Sequence, residues 1–176
     1  MLFKQVDGTI FDYNFTFLEL LLRSFDRQLR FVRKAIDEQY GPDSTEYLNQ
    51  LDYLAGVGFI SCQQYITTIN RATNLDVEQA SKFPPLHVPG ISVVTVIQAG
   101  ANYWKHHEEW SDNNIMKRRY TIDVLQRAGI DIEGAYVCSD LMDKLCGIEP
   151  NPFARLKNLL VEWRNNVILY NDRRST

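Results

Sequence analysis

Four stretches of this 176-residue chain place apolar side chains at alternating steps of three and four, and that period commits most of the chain to helices that each bury one face. Leu18, Leu22, Phe25, Leu29, Val32 and Ile36 form the first seam, and Tyr47, Leu51, Leu54, Gly58, Cys62, Tyr65 and Ile69 the second. Val93, Ile97, Gly100 or Ala101, and Trp104 form the third; Leu156, Leu160, Trp163, Val167 and Tyr170 close the chain. Punctuation agrees with the period. Thr16 and Glu19 have capping-box spacing, Gly41-Pro42 stops the first helix, and Asp43 with Glu46 suggests a second box. Asn151-Pro152 reads as a cap followed by proline in the first turn. Gly56 and Gly58 weaken the second helix unless a neighbour approaches closely there.

Between these seams lie shorter elements. Residues 2–13 flank Asp7-Gly8, a dipeptide suited to a hairpin turn. Residues 74–90, with Pro84-Pro85 and Pro89-Gly90, are a connection. Residues 92–97 are strand-formers by propensity, but 91–110 is too long for one strand and is read as a buried helix. Shorter helices follow over 114–128 and 139–146, stopped by Gly129 and Gly147. The expected architecture is all-α: a single helical domain spanning 1–176, built as an antiparallel helical bundle of four main helices with a small N-terminal hairpin and short extra helices.

Apolar residues make up 45% of the chain and charged residues 23%, ordinary globular usage. No apolar run reaches the eighteen or more residues of a spanning helix and no secretory signal is visible, so no membrane partner is expected. Cys62, Cys138 and Cys146 are odd in number and form no C-x-x-C pair, which points to reduced thiols in the cytoplasm. A net charge of −3 gives no global pull towards nucleic acid, so RNA would have to meet a local basic patch. Arg23, Arg27, Arg30 and Lys34 share one helix face, and Lys117-Arg118-Arg119 with Tyr120 makes a second patch, as do Arg173-Arg174; each is read first as a solvated face.

The densest polar cluster is Asn102-Tyr103-Trp104-Lys105-His106-His107-Glu108-Glu109-Trp110. On a helix Gln98, Asn102, His106 and Glu109 share a face and form a polar stripe beside an apolar seam. Such a stripe is either a structural hydrogen-bond network or a site. Metal is not expected. His106, His107 and Glu109 offer an i, i+3 pair at best, His87 lies in a proline-flanked loop, and the chain has no Glu-x-x-His motif. Nor is there a Gly-rich phosphate loop or dinucleotide fingerprint, so no cofactor is expected. On the last helix, Arg164 falls between Leu160 and Val167, so its guanidinium either skirts the core or, as the first expectation, snorkels into water.

Two segments resemble halves of the HEPN superfamily motif, in which Arg, often followed by Asn, precedes His by four to six residues. Ala101-Asn102-Tyr103-Trp104-Lys105-His106 keeps Asn and His with Ala in the Arg position. Arg164-Asn165-Asn166-Val167-Ile168-Leu169 keeps Arg and Asn with Leu169 in the His position and Tyr170 next. The resemblance implies a metal-independent ribonuclease of a bacterial defence or toxin–antitoxin type system, with a site split between helices, or a relative that has lost catalysis. In the split site His106 is the general base or acid, Arg164 stabilises the phosphorane and Asn102 orients either. Lys105, His107, Glu109, Asn165 and Tyr170 are the candidate binding residues around them. The partners expected are RNA, a protein partner, and a second copy of the chain packed through the seams of the first two helices. The competing expectation is a non-catalytic helical interaction protein, such as an immunity partner.

Overall fold

The computed structural model describes residues 3–6, 9–38, 44–110 and 115–175. Strand β1 (Phe3–Val6) pairs antiparallel with β2 (Thr9–Asp12), so the hairpin is present; its Asp7-Gly8 turn lies outside the described residues. Asp12 ends β2 and immediately caps helix α1 (Tyr13–Glu38). Its Oδ1 accepts the amide of Phe15 at 2.9 Å, and Thr16 Oγ1 donates to its carbonyl at 3.3 Å. The helix therefore starts before the expected Thr16–Glu19 box, because the carboxylate at the end of the hairpin offers an earlier cap. Glu19 turns instead to Lys157 at 3.0 Å and Arg23 at 2.9 Å. The Lys157 hydrogen bond, with Arg23 beside it, holds the Glu19 carboxyl below its ordinary range.

Helix α2 (Ser44–Thr73) is the hub of the molecule. The expected box at Asp43 and the Gly41-Pro42 stop lie outside the described residues. After Asp76 caps the single turn α3 (Val77–Ala80), strands β3 (Leu86–Val88) and β4 (Ile91–Ser92) pair across Gly90, which sits at φ +78°. Strand character in 92–97 stops there. Ser92 Oγ accepts the Thr95 amide at 3.3 Å and starts helix α4 (Val93–His106), whose first five residues are all buried. A 3-10 turn, His107–Glu109, extends it. Helices α5 (Ile115–Arg127), α6 (Val137–Cys146) and α7 (Pro152–Ser175) follow. Gly129 and Gly147 adopt φ +83° and +77° past the ends of α5 and α6, a conformation that favours glycine.

Helix is the dominant structure of the described residues, with two small two-stranded sheets. Helix α2 packs against α1, α4, α6 and α7. Its two inner glycines mark opposite sides, since residues two apart on a helix point about 200° apart. A Cβ on Gly56 would run into the Trp104 ring of α4, and one on Gly58 into the Phe153 ring of α7. Gly100 does the same service from α4, where a Cβ would lie 2.6 Å from a Leu141 methyl. Most seam residues are buried: Leu18, Leu22, Leu29 and Val32 on α1, Cys62, Tyr65 and Ile69 on α2, and Leu156, Leu160, Trp163 and Val167 on α7. Tyr170 is not. It is 41% exposed, past the point where the core covers α7, and meets Phe83 edge-on at 5.0 Å.

Two helices are capped from outside themselves. Asp26, buried within the inner face of α1, accepts the amides of Phe153 and Ala154 at 2.9 Å each and thereby starts α7. Asp52 of α2 accepts the amides of Cys138 and Ser139 at 2.8 and 2.9 Å and starts α6. Pro152 occupies the first turn as expected, but the Asn151 side chain accepts from Arg30 and caps nothing. Carboxylates on neighbouring helices do the work that sequence-local caps were expected to do.

Candidate functional site

The polar stripe on α4 divides into separate pieces. Gln98 and Asn102 are half-buried, whereas His106 and Glu109 are exposed. Gln63 of α2 ties the first piece together: its Nε2 donates to Asn102 Oδ1 at 3.0 Å, and its Oε1 accepts Lys105 Nζ at 2.8 Å. Partial burial lowers the Lys105 pKa. His106 belongs to neither group. Its Nδ1 lies 3.4 Å from Glu109 Oε2, and the two side chains are 51% and 75% exposed.

His107 faces the other way. Its ring stacks on Tyr103 with centroids 4.7 Å apart and a 7° interplanar angle, and its Nδ1 lies 3.1 Å from the Tyr103 carbonyl. Trp110 meets Tyr103 edge-on at 5.6 Å, and Tyr53 meets Trp104 edge-on at 5.4 Å. Burial raises the Tyr103 pKa, with Cys138, Asp52 and Glu133 adding to it. The end of α4 thus carries an aromatic cluster on one side and the Gln63–Asn102–Lys105 chain on another.

Arg164 corrects the snorkelling expectation. It is buried: its Nη1 pairs with Asp12 Oδ2 at 3.4 Å, its Nε and Nη2 donate to Asn165 Oδ1 at 3.2 and 3.1 Å, and its guanidinium lies 5.1 Å from the Phe15 ring centre. Asp12 Oδ2 also accepts the Tyr65 hydroxyl at 2.5 Å. Burial, and then that hydrogen bond, raises the Tyr65 pKa far above the phenol range. Asp12, Phe15, Tyr65 and Arg164 therefore form a closed cluster joining hairpin, α1, α2 and α7. Asn165, half-buried, serves it as a clamp on Arg164. Tyr170 lies further along α7, with the Arg174 guanidinium 5.7 Å from its ring.

The structure brings Asn102 together with Lys105, His106 with Glu109, and Arg164 with Asn165. It does not join His106 to Arg164. Gln63 and Tyr65, two residues apart, leave α2 on opposite sides, the first to the α4 residues and the second to the Asp12–Arg164 pair.

The basic patch on α1 is largely engaged. Arg23 pairs with Glu19, Lys34 with Glu38 at 3.6 Å, and Arg30 with Asn151. On α5, Arg118 and Arg119 line one shallow cleft with Asp123; a second cleft, of about 350 Å³, has Lys82, Tyr120 and Arg127 in its wall. Lys82 pairs with Glu78 at 3.0 Å and Arg127 with Asp123 at 3.6 Å.

Among the described residues no group of three or more His, Cys, Asp or Glu is placed to hold a metal ion, and no helix is long and apolar enough to cross a membrane. Cys62, Cys138 and Cys146 are free and buried, and burial pushes all three thiols up, Cys146 to about 12. Such thiols are poor nucleophiles.

Asp12, Asp26, Asp52, Gln63 and Tyr65 were absent from the sequence candidates. The available signal was a carboxylate inside an apolar period, as Asp26 is between Leu22 and Leu29. Comparison with family models, curated proteins and solved structures finds no match to this chain.

Proposed function

We propose that this chain is a non-catalytic helical interaction protein. The single observation that carries the reading is the commitment of Arg164. A guanidinium buried against Asp12 and held by Asn165, while His106 meets the exposed Glu109, supports a structural role for Arg164 over a shared phosphate site. The carboxylate that meets His106, Glu109 at 3.4 Å, is three-quarters exposed and so holds the imidazole only loosely. The arrangement of partners around α2 supports reading the architecture as four long helices, α1, α2, α4 and α7, antiparallel in sequence order, with α5 and α6 as additions. Three buried free thiols support a cytoplasmic setting, where thiols stay reduced.

The HEPN-like reading competes with this one, and one observation favours its RNA-binding form: the cleft on α5, where Tyr120 is 61% exposed between cations. An exposed ring beside an ammonium and a guanidinium group favours stacking on a single-stranded base. A cleavage assay on mixed-sequence RNA, with the wild type and His106→Ala, decides between the readings. No cleavage by either protein is expected. Cleavage by the wild type that disappears in His106→Ala overturns the proposal. RNA bound without cleavage, and lost in Arg118→Ala/Arg127→Ala, assigns the interaction to nucleic acid and replaces the protein-partner reading.

A further inference from the structure

Helix α1 has two apolar faces. The inner one, with Leu18, Leu22, Leu29 and Val32, is spent on the core, as is most of the α2 seam, so those seams are not available to a second chain. The outer one lies in water. Tyr13 is 71% exposed, Phe17 73%, Leu20 59%, Leu21 41% and Phe31 68%. At 3.6 residues per turn these positions, with Ser24 and Gln28 between them, fall on one arc of about 100°. Helices α2 and α7 pack on the inner side of α1. Single exposed apolar residues are ordinary, but five large ones on one helix face are not.

We propose that this outer face is the two-fold interface between two copies of this chain, with their α1 helices antiparallel and crossing near the level of Leu22. The order of side chains along the arc carries the assignment. Its N-terminal half bears Tyr13, Phe17, Leu20 and Leu21, and the charge beside them, Glu19, is already paired with Lys157 and Arg23. Its C-terminal half bears Ser24, Gln28 and Phe31, with Arg27 at its edge. Antiparallel pairing sets Tyr13 against the partner's Phe31, Phe17 against the partner's Arg27, and Leu20 against the partner's Ser24. Rings then meet rings or guanidinium groups, which attract. The self-complementary order is what an isologous contact requires, each patch serving both partners. At roughly 150–250 Å² per aromatic side chain, Tyr13, Phe17 and Phe31 together expose on the order of 400 Å², and the two leucines and the arginine stems bring the face towards the ~800 Å² per partner of a specific interface.

This interface is independent of whether the chain cleaves or binds RNA, so its failure leaves the proposed function standing. Sedimentation of the full chain at about 10–100 µM tests it. The wild type is expected to run at the mass of two chains. Phe17→Glu/Leu20→Glu is expected to run at the mass of one, a rise of at least ~100-fold in the dimer dissociation constant. Its helical signal should be unchanged, because both side chains lie in water. A wild type at the mass of one chain overturns the proposal, and so does a double variant that stays dimeric. Register is read separately by oxidation, since the three native thiols are buried. Tyr13→Cys/Phe31→Cys is expected to cross-link into dimers while each single variant does not. Cross-linking by Tyr13→Cys alone overturns the antiparallel arrangement.

Discussion

At the end of α4, His106 and Glu109 meet across 3.4 Å with half or more of each side chain in water; at the start of α1, Asp12 and Arg164 meet across the same 3.4 Å with side chains only 2% and 9% exposed. Distance is equal and environment is not. In water the first pair gains little from its charges, and salt screens what remains. The buried pair has given up its hydration, so each partner depends on the other and on the Tyr65 and Asn165 bonds around it. The histidine that looks most like a catalyst therefore sits where it is weakly held. Arg164, the residue expected to stabilise a phosphorane, is buried and bolts α7 to the hairpin and α1.

The largest expected effect lies at the bolt. Asp12→Ala removes the α1 cap and leaves a buried guanidinium without its carboxylate, at a cost of about 3–5 kcal/mol in urea unfolding. Adding Arg164→Met should recover part of that loss, because the stranded charge is then gone. A cost below ~1 kcal/mol for Asp12→Ala would show that the two regions do not differ as described.

Next in size are the caps delivered across helices. Asp26→Ala strips two buried amides of their acceptor and is expected to cost about 2 kcal/mol. Asn151→Ala, at the position sequence logic favours as the cap of α7, should cost less than ~0.5 kcal/mol because its side chain serves Arg30 on the surface. A reversed order would break the assignment of the cap to α1.

These two variants also define what sequence could and could not reveal. The inner seams, the close approaches at Gly56 and Gly58 and the stops at Gly129 and Gly147 were legible because period, lost Cβ atoms and positive φ are local properties. Asp26 and Asp52 were not legible as caps, since their partners lie 127 and 86 residues away. Arg164 was read as snorkelling for the same reason, Asp12 being 152 residues distant. The outer face of α1 was missed because the inner period already accounted for that helix. Tyr170 continued the α7 period beyond the core that gives such a period its meaning.

Acid dependence separates the buried carboxylates from the exposed end of α4. Burial raises the pKa values of Asp26 and Asp52 above their ordinary 3.8, against the pull of the amides each accepts, and burial raises Asp143 likewise. Between 3.8 and those raised values the folded chain binds more protons than the unfolded one. Their contribution to stability is thus full below pH 3.8 and declines as pH rises through the folded values. Glu19 runs the opposite way, contributing above its ordinary 4.5 and losing that as pH falls through its lowered value. Urea unfolding of Asp26→Asn/Asp52→Asn against wild type, from pH 3 to 7, should show the variant lacking the acid-side gain. Parallel pH curves for the two proteins would contradict it.

The smallest effect is expected at His106, and its neighbour makes the test sharp. His106→Ala removes one surface contact of 3.4 Å to a Glu109 that is three-quarters exposed, so stability should change by less than ~0.5 kcal/mol and be insensitive to salt. His107→Ala removes a half-buried ring stacked on Tyr103 beside Trp104, and should cost about 1 kcal/mol with a change in tryptophan emission. Adjacent residues of the same type are thereby ranked by what they touch. Should His106→Ala prove the more destabilising of the two, His106 would have to be holding something beyond Glu109, and the case for a weakly held histidine at the end of α4 would fail.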